Sequence, residues 1–135
     1  MDKVAVVKII DRFRQEIETR GVIAQKIILY GSHASGMDAA VSDIDVVVIS
    51  EDFAGKGYWE RIDILADVIY TMSAPLEAVA MTPEEWEEKL SLLIENAELR
   101  EQMGQAGRRR VLKKYTYQAC APRLFSILDR VAKER

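Results

Sequence analysis

The chain predicts an α/β (α+β) fold: a small three-stranded sheet covered by helices and followed by a C-terminal helical tail. Three short apolar runs, at residues 26–30, 43–49 and 76–81, read as strands because they are brief and, in the first two, rich in β-branched side chains. Segments with apolar residues at three- and four-residue spacing lie between and around them. Beyond Trp86 the patterning is helical to the end, so the sheet is small and its faces need all the helices to cover them. The 135 residues suit one ordinary domain, or a small domain with an appendage, and 49% hydrophobic with 30% charged residues is a globular composition.

Each element has a local reason. Val4, Val7, Ile10, Phe13 and Ile17 mark residues 2–20 as an amphipathic helix stopped at Gly21. Lys26-Ile27-Ile28-Leu29-Tyr30 is a strand that ends at Gly31-Ser32. Residues 33–42 are small and polar and read as a turn plus a short helix. Asp43 to Ile49 is apolar on both faces past its first residues, hence a central strand covered on both sides. Gly55 and Gly57 open a loop, and Trp59, Ile62, Leu65, Ala66 and Ile69 give the next helix. Pro75 precedes the third strand, Leu76 to Met81. Thr82-Pro83-Glu84-Glu85 starts a helix with Thr as N-cap, Pro at the first helical position and Glu at the third to close a capping box. The rest reads as helices interrupted near Gly104 and Gly107 and again near Tyr115 to Tyr117, with Pro122 in the first turn of the last one. Leu90, Leu93, Ile94 and Ala97 line one stripe, and Leu124, Ile127, Leu128 and Val131 another. Residues 1–90 are expected to form one domain and 91–135 a helical extension.

Composition removes several functional classes. No apolar run approaches the roughly 18 residues that span a bilayer, and the interleaved charges of MDKVAVVKIIDRFRQE do not read as a secretory signal. A single cysteine, Cys120, excludes an internal disulfide and suits a reducing, cytoplasmic setting; between Ala119 and Ala121 it reads as a small core residue. With one histidine, His33, the chain cannot build a structural zinc site, and a Ser-His-Asp or Cys-His hydrolase would have to use that residue. Charge is uneven: residues 1–103 hold 10 Lys/Arg against 20 Asp/Glu, and residues 104–135 hold 9 against 2. A basic end on an acidic body can dock on its own body, meet a second chain, or remain a solvated helix face. Arg108-Arg109-Arg110 is a candidate for RNA phosphates, but apart from Tyr115 and Tyr117 no aromatics interleave closely with the basic run, so a stacking platform is not expected and nucleic acid is not the expected partner.

The chemistry concentrates at Gly31-Ser32, followed after ten residues by Asp43-Ile44-Asp45. On a strand, residues i and i+2 share a face with Cα atoms ~6.5–7 Å apart, so Asp43 and Asp45 aim two carboxylates the same way. Like charges on one side of a strand repel unless a cation lies between them. Mg²⁺, a hard cation that takes carboxylates and substrate phosphates, answers that need. Glycine admits close approach of a ligand, successive N–H groups at a strand-to-helix turn favour an anion, and the Ser32 hydroxyl adds a donor. A third carboxylate is expected from the remaining strand, whose only acid is Glu77. Two metal ions held by Asp43, Asp45 and Glu77 suit an in-line displacement at phosphorus.

Leu29-Tyr30-Gly31-Ser32-His33-Ala34-Ser35-Gly36, with Ser42-Asp43-Ile44-Asp45-Val46-Val47-Val48, resembles the GS-x10-DxD signature of the minimal nucleotidyltransferases, a family of the DNA polymerase β-like superfamily. Asp52-Phe53, Trp59-Glu60-Arg61 and Glu77 with Thr82-Pro83-Glu84-Glu85 resemble a branch whose third metal carboxylate is glutamate. The resemblance covers about residues 1–90 and implies a small mixed sheet of the nucleotidyltransferase-like type. It also implies Mg²⁺-dependent transfer of a nucleoside monophosphate from an NTP, ATP by family habit, with pyrophosphate leaving. Gly31 and Ser32 would grip the triphosphate, Asp43 and Asp45 would bind both metals, and Glu77 would bind the catalytic metal and help activate the acceptor. Small members often act as antitoxins that adenylylate a HEPN-type ribonuclease toxin. His33 departs from the pattern, since Arg or Tyr often follows the Gly-Ser. Separately, Ile94 to Val111 and Lys114-Tyr115-Thr116-Tyr117 resemble the C-terminal end of GT-B glycosyltransferases, a structural set of helices without a catalytic group.

His33 itself reads as a pocket-lining or surface residue, and as a donor to phosphate if it touches substrate. Lys56 and Arg61 are candidates to neutralise phosphate charge, against the alternative of solvated helix-surface cations. The expected partners are a nucleotide, a HEPN-type toxin protein and a second copy of the chain, with no membrane. A non-catalytic module that binds a nucleotide or caps a partner stands as the alternative to the enzyme.

Overall fold

A computed structural model describes residues 3–36 and 42–133, and it divides the chain into two compact units, Met1–Lys89 and Leu90–Arg135. In chain order the elements are α1 (Lys3–Glu18), β1 (Lys26–Tyr30), α2 (Gly31–Ser35), β2 (Ile44–Ile49), a 3₁₀ turn (Glu51–Phe53), α3 (Tyr58–Met72), β3 (Leu76–Met81), α4 (Pro83–Glu95), α5 (Ala97–Lys114) and α6 (Tyr117–Lys133). Residues 37–41 of the expected turn lie outside the described residues.

The first unit is built on a mixed sheet in the order β1-β2-β3, with β1 antiparallel and β3 parallel to the central β2. Its register sets which side chains share a face. Ile44, Val46 and Val48 of β2 stand beside Leu76, Ala78 and Ala80 of β3, and Val46 and Val48 also face Leu29 and Ile27 of β1. This face meets Val6, Phe13 and Ile17 of α1 and Leu65, Val68 and Met72 of α3 to form the core. Phe13, Ile17, Ile44, Val46, Val48 and Val68 are completely or almost completely buried, each worth about 1.5–3 kcal/mol over exposure. The opposite face carries the row Tyr30, Asp45 and Glu77, and after it Ile28, Val47 and Val79.

The helix phases differ from the expected stripes. In α1 the buried line runs Val6, Ile9, Ile10, Phe13, Ile17, and Val4 and Val7 are exposed. Both lines share Ile10, Phe13 and Ile17 at the same spacing; contact with the sheet selects Val6 for the first turn. In α3 the buried residues are Leu65, Val68 and Met72, whereas Trp59 is 73% exposed and meets Tyr58 edge-on. Asp43 precedes β2 instead of opening it.

Polar contacts close both ends of the β2–β3 pair. Ile44 N–H donates to the Pro75 carbonyl at 2.7 Å, and Ser50 N–H to the Met81 carbonyl at 3.0 Å. Buried Ser50 donates its hydroxyl to the Ile23 carbonyl at 2.7 Å and accepts from Asp52 N–H, while Ile23 N–H donates to the Asp52 carboxylate. The capping box of α4 forms as its residues predict. Glu85 N–H donates to the Thr82 hydroxyl at 3.2 Å, and Thr82 N–H to the Glu85 carboxylate at 3.0 Å.

In the second unit, α5 passes through Gly104 and Gly107 without a break. Neither glycine has a positive φ among the described residues, so each only lowers helix propensity, by about 1 kcal/mol relative to alanine. The interruption falls instead at Asn96, whose side chain accepts from Leu99 N–H and caps α5, and Arg100 donates to the last carbonyls of α4, those of Leu93 and Ile94. Pro122 lies inside α6 and not in its first turn. Cys120 is exposed, contrary to the core placement expected for it, and its thiol donates to the Lys114 carbonyl. No residue of α4, α5 or α6 is buried.

Candidate active site

The site sits where β1 ends, α2 begins and β2 and β3 start. Antiparallel pairing sets Tyr30 opposite Asp45, and parallel pairing sets Asp45 beside Glu77. Directly paired residues point to the same face of a sheet, so these three side chains form a row at one end of it. Tyr30 registers the two acids: burial first, and then the charges of Asp45 and Glu77, raise its hydroxyl above the ordinary phenol range.

Gly31 follows with φ +72°, in the left-handed region. A Cβ built there would lie 2.1 Å from Asp45 Oδ2, so the carboxylate occupies the space that any side chain at this position would need. Glycine is required twice over, by the backbone angle and by the contact. Ser32 is half-buried in the first turn of α2, and the N-cap residue Tyr30 makes no side-chain cap. Further along, the Ser35 hydroxyl donates to the carbonyls of Gly31 and Ser32.

Asp43 is exposed, two residues before Asp45 and outside the strand. Its predecessor Ser42 is tied back to α2: His33, 7% exposed, meets the Ser42 carbonyl through Nε2 at 3.1 Å. A carbonyl only accepts, so His33 carries a proton on Nε2. His33 is thus a buried hydrogen-bonding residue, a role its sequence position did not signal. Tyr30 likewise escaped sequence reasoning as a member of the row; only the strand register identifies it.

The structure therefore brings Gly31, Asp45 and Glu77 together and leaves Asp43 exposed, just ahead of β2. Among the described residues, no group of three His, Cys, Asp or Glu side chains is gathered closely enough to hold a metal ion. Asp45 and Glu77 are left as two carboxylates in register; Mg²⁺ in general keeps several waters and takes only one or two carboxylates alongside substrate phosphates.

Lys56 and Arg61 lie elsewhere. They line a cleft of about 490 Å³ with Leu65, Ala78, Met81 and Glu85. Arg61 pairs with Glu85 through both guanidinium nitrogens, at 2.6 and 3.0 Å, and its Nε donates to the Lys56 carbonyl. Its charge is committed to Glu85, whose carboxyl falls to about 2 through the Arg61 hydrogen bonds and then that of Thr82 N–H. Arg61 is a structural clasp in this arrangement.

Comparison with known proteins divides along the chain. Residues 53–126 match the sequence model of a family described as glycosyl transferase-like; this span includes Glu77 but neither Gly31 nor the aspartates. A crystal structure described as that of a "putative nucleotidyltransferase" from Sulfolobus solfataricus is similar in fold, with a TM-score of 0.53 and 15% identity over 63% of this chain and 74% of that one. No curated protein matches the chain. The α/β fold with its three-stranded mixed sheet is nucleotidyltransferase-like.

Proposed function

We propose that this chain, which belongs to the glycosyl transferase-like family through residues 53–126, uses its first unit as a nucleotidyltransferase. The observation that carries the reading is the register of Asp45 with Glu77 at the sheet end where Gly31 gives way to the Asp45 carboxylate. Fold similarity to the Sulfolobus protein supports it.

The proposed reaction moves a nucleoside monophosphate, AMP from ATP, to an acceptor and releases pyrophosphate. Asp45 and Glu77 would hold Mg²⁺, with Asp43 as a further carboxylate. The bound metal supplies neutralisation of phosphate charge at the reacting phosphorus. Gly31 gives room to the Asp45 carboxylate, and Ser32 would contribute a hydroxyl donor for a phosphate oxygen. Glu77, exposed on β3, would accept the acceptor's proton. A HEPN-type toxin protein is the proposed acceptor. No part in this chemistry is assigned to the second unit, which holds no buried residue among the described residues.

The test is Mg²⁺-dependent pyrophosphate release from ATP in the presence of a candidate acceptor protein. Turnover that disappears in Asp45→Asn supports the enzyme. The exposed position of Asp43, outside any three-ligand cluster among the described residues, favours a second reading in which the site is non-catalytic and the chain caps a partner. Partner neutralisation that survives Asp45→Asn would establish that alternative and remove the transferase.

A further inference from the structure

We infer that the open edge of β3 is a docking site for an extended, acidic segment of a partner protein, which adds to the sheet as a further strand beside Ala78 and Ala80. The inference goes beyond the nucleotidyltransferase reading and uses none of its residues. β3 ends the sheet on one side, with β2 as its neighbour on the other. Ile44 N–H donates to the Pro75 carbonyl and Ser50 N–H to the Met81 carbonyl. Alternate residues of a strand serve the same neighbour, so Glu77, Val79 and Met81 turn their backbone groups to β2. Ala78 and Ala80 turn theirs the other way, where among the described residues no hydrogen bond reaches them. Such a row of unpaired groups is a template for one more strand.

Room and charge at this edge select the occupant. The cleft of about 490 Å³ is lined by consecutive residues, Ala78 to Met81, whose side chains alternate between the two faces of the sheet. It therefore runs along the edge of the strand. The small alanines leave space against Ile62 and Leu65 of α3 for apolar side chains at every second position of an added strand. Lys56, Arg61 and Lys89 bring their cations to the cleft against the single carboxylate of Glu85, and all belong to the first unit. Arg61 is committed to Glu85, whereas Lys56 stands 3.9 Å from the exposed Glu60 and Lys89 is itself exposed. This is a local positive excess on a body, residues 1–103, that holds 20 acids and 10 bases. It favours an acidic strand and opposes a second β3, which would bring its own lysines to the same edge.

The test follows the fluorescence anisotropy of a labelled peptide of six residues, the length of β3, in which valine alternates with glutamate. Saturable binding to the full chain is expected, weakened by salt and by Lys56→Glu combined with Lys89→Glu. The same peptide with lysine in place of glutamate should not bind. Two N-methylated forms separate strand addition from charge alone, one methylated at the valine amides and the other at the glutamate amides. One pattern blocks the donors that face β3 and should weaken binding about tenfold or more, while the other should leave it near the parent value. Ala80→Pro removes an outward donor without touching the ladder to β2, so it should cost about tenfold at a nearly unchanged thermal midpoint. No saturable binding, equal loss with both methylation patterns, or full binding of the lysine peptide overturns the inference. So does a parent chain that sediments as a dimer while Ala80→Pro stays monomeric, since the edge then belongs to a second copy. If Ala80→Pro does not fold, the methylated peptides decide on the parent chain alone. Pyrophosphate release is read separately, so either proposal can fail without the other.

Discussion

A methyl group added at Gly31 would meet the Asp45 carboxylate oxygen at 2.1 Å on a backbone with φ +72°. Gly31→Ala should therefore strain the turn by about 1–3 kcal/mol and push the carboxylate aside. Thermal denaturation and pyrophosphate release would both register it, and a fully stable, fully active variant would contradict the contact. Asp45→Asn keeps the shape and removes the charge, so it should leave folding nearly unchanged and lower turnover by about a hundredfold or more. At this scale the sequence was unevenly informative. Gly31, Asp45 and Glu77 were legible because strand periodicity and residue chemistry point to the same place. His33 was not, since its partner is a backbone carbonyl whose position no side-chain pattern encodes.

Among the elements, the junction of β3 and α4 supports a pH prediction. Glu85 closes the α4 cap and holds Arg61, and its folded-state carboxyl lies at about 2 against an ordinary 4.5. A carboxyl lowered on folding stabilises the protein fully above its ordinary value, and that contribution fades as pH falls from about 5 toward 2. The Glu85 side chain is 35% exposed, so solvent screening reduces the effect to about 1 kcal/mol. Glu85→Gln should accordingly destabilise the chain at pH 7 and approach the parent near pH 2.5, as read from denaturant midpoints. An equal gap at both pH values would assign the effect to packing. The limits of β1 and β3 and the Thr82 cap could be read ahead of the structure because they depend on neighbouring residues, whereas β2 starts one residue later than its pattern suggests. Helix phase in α1 and the continuity of α5 through two glycines could not, because tertiary packing selects the first and nothing local forces a break in the second.

For the whole molecule, the deciding fact is where burial lies. Every buried residue falls between Val6 and Thr82 among the described residues, and α5 and α6 have none. Helices without a buried face rest mainly on intrinsic propensity, whereas most helical stability in proteins comes from packing an apolar face. Amide hydrogen exchange of the full chain should find the slowest protons in β2 and in α1 near Phe13. The amides of α5 and α6 should exchange far faster. Slow exchange in α6 at dilute protein concentration would mean that its apolar residues, including Leu124, Phe125 and Leu128, are covered in solution. The acidic body and basic end were legible from composition, whereas the near absence of a core beyond Lys89 was not: periodic apolar stripes announce a face that can be buried, not one that is.

The bond from Ile44 to the Pro75 carbonyl has a consequence for how this chain can vary. Strand side chains alternate, so a one-residue deletion ahead of Leu76 exchanges odd for even throughout β3. Leu76 would be turned out to water and the Glu77 carboxylate driven among Val46 and Phe13. Lineages descending from this chain could lengthen the approach to β3 only ahead of Pro75, where an added residue enters the loop and leaves the anchored alternation intact.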